Sequence, residues 1–218
     1  MKRVDKLIHQ WAWVVLLSFC ILGLVFPVIG IGALICMLAP VIVSFFKGRK
    51  WCGNYCPRGS FNDIILSKLT LKRKIPALLR GYWFRIIFLA MIMSGFGIQL
   101  FFSWGNIVSV GQIFMRMIII TTLLSIVLGI GFSPRTWCLI CPMGTIAHFV
   151  TKGVSTKRNF GHIGFVKERC IDCRLCVKSC PVNIDILSFK LEGRVNHADC
   201  LQCVSCVEKC PKKALYVD

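Results

Sequence analysis

Two long apolar tracts and a polar, Cys-rich tail divide this chain. Trp11–Phe46 runs for 36 residues without a charge. As one helix it would reach about 54 Å at ~1.5 Å per residue, well beyond the ~30 Å hydrocarbon core of a bilayer. It must fold back, and Pro27, Gly30 and Gly32 supply the break. The expected spans are residues 8–27 and 29–46, with a kink at Pro40. A second apolar region gives spans over Trp83–Ser103, interrupted by Gly95 and Gly97, and over Gln112–Phe132. The uncharged segment Trp104–Gly111 joins them as an outer loop. From Thr151 to Gly164 the chain becomes a polar, Gly-containing linker. The pattern predicts an α-helical membrane domain over residues 1–156, a four-span bundle of two hairpins, and a small C-terminal domain over residues 157–218.

Between the hairpins, Ser60-Phe61-Asn62-Asp63 reads as a capping-box-like helix start. Phe61, Ile64, Ile65 and Leu69 line one face, with Lys68 and Lys72 near the other. This predicts an amphipathic helix on the inner membrane surface, ended by Pro76.

Composition sharpens the class. The chain is 56% hydrophobic with mean hydropathy +0.71, too apolar for an ordinary soluble domain. Its net charge of +18 would suggest nucleic acid in a soluble protein, but no recognition module accompanies it. The charge lies instead beside the spans. Ten Lys and Arg against one acid, Asp63, fall between Lys47 and Arg85. The positive-inside rule puts this segment, both termini and the C-terminal domain in the cytoplasm, beside anionic lipid at the inner membrane. Lys2, Arg3 and Lys6 resemble a signal-peptide n-region, but no small-residue cleavage site follows, so the first span is read as uncleaved. The basic surface also suits an acidic soluble carrier, a ferredoxin or flavodoxin.

The chemistry lies in the cysteines. Cys170, Cys173, Cys176 and Cys180-Pro181 form C-x2-C-x2-C-x3-C-P, repeated as Cys200, Cys203, Cys206 and Cys210-Pro211. Three close thiolates suit one face of an iron–sulfur cube, and the fourth Cys of such a run ligates the other cluster. The expected ligands are Cys170, Cys173, Cys176 and Cys210 for one [4Fe–4S] cluster, and Cys200, Cys203, Cys206 and Cys180 for a second. Zinc sites usually pair C-x2-C units, and disulfides show no such double register. Here the tail resembles the bacterial-type two-cluster ferredoxins over residues 160–218, which implies an α+β fold.

Two further pairs end the second and fourth spans: Trp51-Cys52…Cys56-Pro57-Arg58-Gly59-Ser60 and Trp137-Cys138…Cys141-Pro142-Met143-Gly144-Thr145. The shared W-C-x(2–3)-C-P-x-G-[ST] makes the membrane domain an internal repeat of about 85 residues. Cys52, Cys56, Cys138 and Cys141 could meet as ligands of a third iron–sulfur cluster, facing helices that begin at Ser60 and Thr145. Zinc or a redox disulfide also suits two pairs. Cys20 and Cys36 read as small apolar fillers. His9, His148, His162 and His197 offer no facing pair deep in a bundle for haem. His9 and His148 read as interfacial polar residues, and Arg116 as an interfacial Arg that snorkels outward. No P-loop or dinucleotide fingerprint occurs.

Taken together, the cysteine pairs, four spans and two-cluster tail resemble the NapH-type membrane polyferredoxins, membrane iron–sulfur subunits of a quinol dehydrogenase that feeds periplasmic nitrate reductase. The resemblance implies quinone-linked electron transfer, with iron–sulfur, flavin or cytochrome partner subunits, and carries onto the twelve cysteines just named. The second pair departs from it, with two intervening residues where the family often has three, and the outer loop is short. The expected function is a membrane-bound electron-transfer subunit of an oxidoreductase complex, with two [4Fe–4S] clusters, a third centre and a quinone as cofactors. A redox-sensing or metal-centre assembly polyferredoxin is the alternative.

Overall fold

A computed structural model describes residues 3–71, 73, 75–155 and 163–217. Lys72, Lys157, His162 and the expected boundary at 156/157 lie outside these residues. The first helix, α1, spans Arg3–Val25. A 3₁₀ turn over Pro27–Gly32 then leads into α2, Ala33–Lys47. After two short helices, α3 (Lys50–Asn54) and α4 (Pro57–Ile64), the chain passes through α5 (Ala77–Arg80) to α6, Tyr82–Phe102, and α7, Ile107–Gly131. Four stretches are long and apolar enough to cross a membrane: Asp5–Val25, Pro27–Lys47, Tyr82–Phe102 and Ile107–Gly131.

The connection between α6 and α7 is tighter than the hydropathy pattern predicts. Asn106 caps α7, its side chain accepting from Val108 N at 3.1 Å and Ser109 N at 3.2 Å. Gly111 therefore lies inside α7 rather than in a loop. It lets the Pro27–Gly32 turn press onto α7: a Cβ on Gly111 would overlap the Pro27 carbonyl, and one on Gly30 the Gly111 carbonyl. By contrast, Gly95 and Gly97 do not interrupt α6, and nothing packs on them.

Helix α4 corrects the expectation of an amphipathic surface helix beginning at Ser60. It starts at Pro57, with Cys56 as its N-cap. Its polar side is the buried one: Ser60 and Asn62 are fully buried, and Asn62 Nδ2 donates to Ser125 Oγ of α7 at 2.9 Å. Ser60 Oγ accepts from Trp13 N at 3.2 Å and donates to the His9 carbonyl. Small and polar side chains let α4 sit against α1, where lipid could not satisfy them.

The second half repeats the order with α8, Thr136–Ile140, and α9, Pro142–Ser155. Helix α9 continues through Thr151, which is buried, so that part of the expected linker is helical. Nor are the hairpins separate packing units: α2 lies along α9, and the Pro27–Gly32 turn lies along α7.

In the tail, β1 (Ile163–Phe165) pairs antiparallel with β2 (Leu215–Val217), Ile163 opposite Val217. Helices α10 (Leu175–Ser179) and α11 (Ser205–Glu208) follow the first two cysteines of each copy and carry the third, Cys176 and Cys206. Ile163, Val182, Ile184, Val195 and Leu201 form a core continuous with Cys52, Trp137, Leu139 and Ile140 of the helical part.

Candidate metal centres

Three cavities gather the twelve motif cysteines. One, of about 370 Å³, is lined by Cys180, Cys200, Cys203 and Cys206 with apolar neighbours such as Val182 and Ile184. Another, of about 340 Å³, is lined by Cys170, Cys173, Cys176 and Cys210. Each draws its fourth cysteine from the other copy of the motif. Among the described residues no three His, Cys, Asp or Glu side chains converge on a point that could hold one metal ion. The thiols ring a volume, an arrangement that suits a multi-iron cube.

Backbone conformation fits the same group. Asp172, Arg174 and Asn183 have positive φ, as do Gln202, Val204 and Lys213, the same positions of the second copy. Left-handed residues on both sides of Cys173 and Cys203 curl successive N–H groups into the concave nests that hold anionic clusters. Ile184 N and Ala214 N each donate to a cysteine sulfur, Cys180 and Cys210, at 3.3 Å. Burial pushes the free Cys200 thiol up to about 12, so metal loading must displace its proton. Cys180→Ser is expected to alter the cluster bounded by Cys200, Cys203 and Cys206, and to spare the one next to it in sequence. Cluster-resolved EPR checks this, and loss of the Cys170-side signal alone would contradict it.

The third cavity, about 1400 Å³, is lined by all four remaining motif cysteines, Cys52, Cys56, Cys138 and Cys141. Cys56 and Cys141 each accept the first helical bond of the following helix, from Ser60 N at 2.9 Å and Thr145 N at 2.7 Å. The helices thus begin at Pro57 and Pro142, not at Ser60 and Thr145, and their N-termini flank the cavity, with the Gly59 amide hydrogen-bonded to Cys56. Burial pushes the Cys56 thiol up to about 12. Four lining residues, Arg49, Trp51, Arg58 and Trp137, carry a buried N–H with no partner within the protein: Nε of each Arg and Nε1 of each Trp. Unmet donors around four thiols suit a sulfide-rich anion. Arg58 also lies over the Trp137 ring, 5.8 Å from its centroid. Away from the cysteines the lining is apolar: Leu16, Phe19, Ile35, Phe114 and Ile118, with Cys36.

Two arginines, each three residues before the first Cys of a pair, cross between the repeats. Arg135 is fully buried and donates from Nη1 to the Cys52 carbonyl at 2.5 Å. Arg49, 1% exposed, donates from Nη2 to the Cys138 carbonyl. The motif glycines make room: a Cβ on Gly144 would meet Arg49 Nη2 and the Cys138 carbonyl, both at 2.8 Å, and one on Gly59 would crowd Arg135. Each guanidinium has a carboxylate. Asp63 takes Arg135 Nε at 2.7 Å and Nη2 at 2.6 Å, and contacts His9 Nε2 at 3.1 Å. Asp199 takes Arg49 Nη1 at 2.8 Å, both Arg85 Nη atoms at 3.1 Å, and contacts His148 Nδ1 at 2.9 Å. His9 is thus a partner of the half-buried Asp63, and His148 of the buried Asp199. The arginines escaped the sequence reading as ordinary positive-inside charges. Their equal offset from two Trp-Cys pairs was the available signal.

Comparison with known proteins agrees with this geometry. Residues 29–76 and 115–161 match the family described as 4Fe-4S binding domain, and residues 162–211 match the 4Fe-4S dicluster domain. The chain is similar to uncharacterized protein MJ0750 of Methanocaldococcus jannaschii, 22% identical over 99% of this chain and 93% of the relative. It is 26% identical to the "Putative electron transport protein YccM" of Escherichia coli K12, over 85% of this chain and 55% of that protein. Part of it, 22% of the chain, is 40% identical to 30% of the chloroplastic NAD(P)H-quinone oxidoreductase subunit I of Phaseolus vulgaris. No solved structure matches. The chain therefore contains segments that match 4Fe–4S ferredoxin-type domains, and it is a distant homologue of a protein named "Putative electron transport protein YccM".

Proposed function

We propose that the protein is a membrane-bound electron-transfer subunit that relays electrons between a quinone/quinol pool, or a partner's cofactor, and its ferredoxin-type clusters. The observation that carries this reading is the third cavity. It is larger than either ferredoxin cavity, and away from its cysteines it is lined mostly by apolar side chains. A cluster held by Cys52, Cys56, Cys138 and Cys141 fills only its thiol-lined end. The apolar remainder, between α1, α2 and α7, suits the ring and tail of a lipid-soluble quinone.

Iron–sulfur clusters, when bound, supply reversible one-electron storage. Cys170, Cys173, Cys176 and Cys210 hold the first, and Cys200, Cys203, Cys206 and Cys180 the second. Arg49, Arg58, Trp51 and Trp137 line the third site and carry unpartnered N–H groups that could stabilise negative charge there. The domains divide at about residue 156, and both termini face the cytoplasm, where Lys and Arg concentrate. Cys173 and its neighbours Ile171 and Arg174 are exposed, which gives the first cluster's edge to a soluble ferredoxin or flavodoxin, or to an iron–sulfur, flavin or cytochrome subunit of a quinol dehydrogenase-like complex. YccM, a relative named for electron transport, supports this class of function.

Anaerobically purified protein is expected to carry about twelve iron atoms per chain, as three four-iron centres. A short-chain quinol should reduce the EPR-visible clusters. Iron for two clusters only would remove the third centre from the reading, and failure of any quinol to react would remove the quinone. For topology, a reporter fused after Asp218 is expected to be active only in the cytoplasm. Periplasmic activity would reverse the orientation.

A further inference from the structure

One place where the two parts of the chain meet lies between two of the cysteine cavities. Among the described residues, the hydrogen bonds that join the helical part to the tail end on Pro181, Val182, Asn183, Asp199 and Gln202. Ser133 Oγ donates to the Pro181 carbonyl at 2.7 Å, and Arg80 Nη2 to those of Val182 at 2.6 Å and Asn183 at 2.8 Å. Gln202 Nε2 donates to the Lys47 carbonyl at 3.0 Å. These acceptors and donors flank Cys180 and Cys200, two of the four cysteines around one cavity.

Gly53 and Leu201 make the closest approach. Gly53 lies between Cys52 and Cys56, and Leu201 between Cys200 and Cys203. A Cβ on Gly53 would overlap the Leu201 carbonyl oxygen, so only glycine permits the contact. Asp199 stands beside it. One carboxylate, 7% exposed, is shared by Arg49 from the end of α2, Arg85 of α6 and His148 of α9. Arg49 and Arg85 are 1% and 4% exposed, so without Asp199 two guanidiniums would be buried uncompensated.

We propose that Asp199 is a latch that holds the Cys200–Cys203 loop against the Cys52–Cys56 loop at Gly53, and that this junction is the electron crossing between the two parts of the chain. Asp199 is a positioning residue: among the described residues its carboxylate bonds Arg49, Arg85 and His148, and it sets the gap between two thiol-lined sites. One electron crosses at a time. The donor side is oxidised as the acceptor side is reduced, with no bond made or broken. The inference rests on the proposed iron–sulfur reading but not on its quinone limb.

The test uses the full chain, loaded anaerobically, with D199N and G53A. In the wild type, partial reduction is expected to show magnetic coupling between the Cys200-side cluster and the third centre. In D199N, iron content stays unchanged while that coupling disappears. Amide exchange at residues 200–203 should rise about 10²- to 10³-fold, as expected when one partner of a buried ion pair is removed. G53A should weaken the coupling with every charge intact, and electron exchange should slow about 10- to 100-fold. Absence of coupling in the loaded wild type, or wild-type coupling and protection in both variants, would overturn the latch, whatever happens with quinol. Coupling that behaves as expected with no quinol reaction would leave the latch standing and remove only the quinone.

Discussion

Replacing any one of Cys52, Cys56, Cys138 and Cys141 with Ser is expected to remove the same iron–sulfur centre, and a second replacement in the other pair to add almost nothing. The reason is geometric. Each pair sits on its own repeat, yet all four line one cavity. The arginine of each repeat binds the first-cysteine carbonyl of the other, so neither half of the site is built without its counterpart. Ligands of one cluster act as a unit, and losses within a unit are non-additive. Iron should fall by about four atoms per chain and leave the eight tail cysteines loaded. Separate, additive losses would mean two independent sites. Unchanged iron in all four single variants would mean that these cysteines hold none.

The second large effect concerns Arg135. Arg135→Met should destabilise the helical part by about 1–3 kcal/mol, the usual cost of leaving buried acceptors without their donor, since Asp63 is half-buried and keeps its contact with His9. It strips Asp63 of two bonds and leaves the Cys52 and Gly53 carbonyls without a donor. Arg135→Lys should recover only part, because an ammonium cannot serve the Asp63 fork and the Cys52 carbonyl together. Asp63→Asn combined with Arg135→Met should cost less than the sum of the two single changes. Thermal unfolding in detergent gives the comparison. An Arg135→Met midpoint equal to wild type would refute the role. The pair also sets an acid limit. Burial alone would raise Asp63, but the Arg135 charge, with hydrogen bonds from His9 and Arg135, holds it at about 2. Its contribution is complete above about pH 4 and is lost as pH falls toward 2.

Much of this was legible in the residues. Length without charge fixed four apolar helices, because a bilayer core sets the span and an unbroken 36-residue run exceeds it. Spacing pointed to the cysteine sets, because three thiolates of each ferredoxin-type run lie close in sequence, while the fourth comes from the other copy. Helix α4 was misread, since its alternation of polar and apolar residues looks the same whether the polar side meets water or a buried Ser125. Its start was misplaced by three residues: Pro57 as first helical residue competes with the Ser60 capping signal and wins, and Ser60 is spent on His9 and Trp13 instead.

What the sequence determined by itself is therefore local: hydrophobic length, ligand spacing, and the repeat of Trp-Cys pairs. What only the tertiary structure decided is non-local. Arg49 reaches Asp199 across 150 positions, and Arg135 reaches Asp63 across 72. No periodicity pairs charges so far apart. The choice is made when the repeats pack, since a guanidinium buried in that packing must find the one carboxylate within reach.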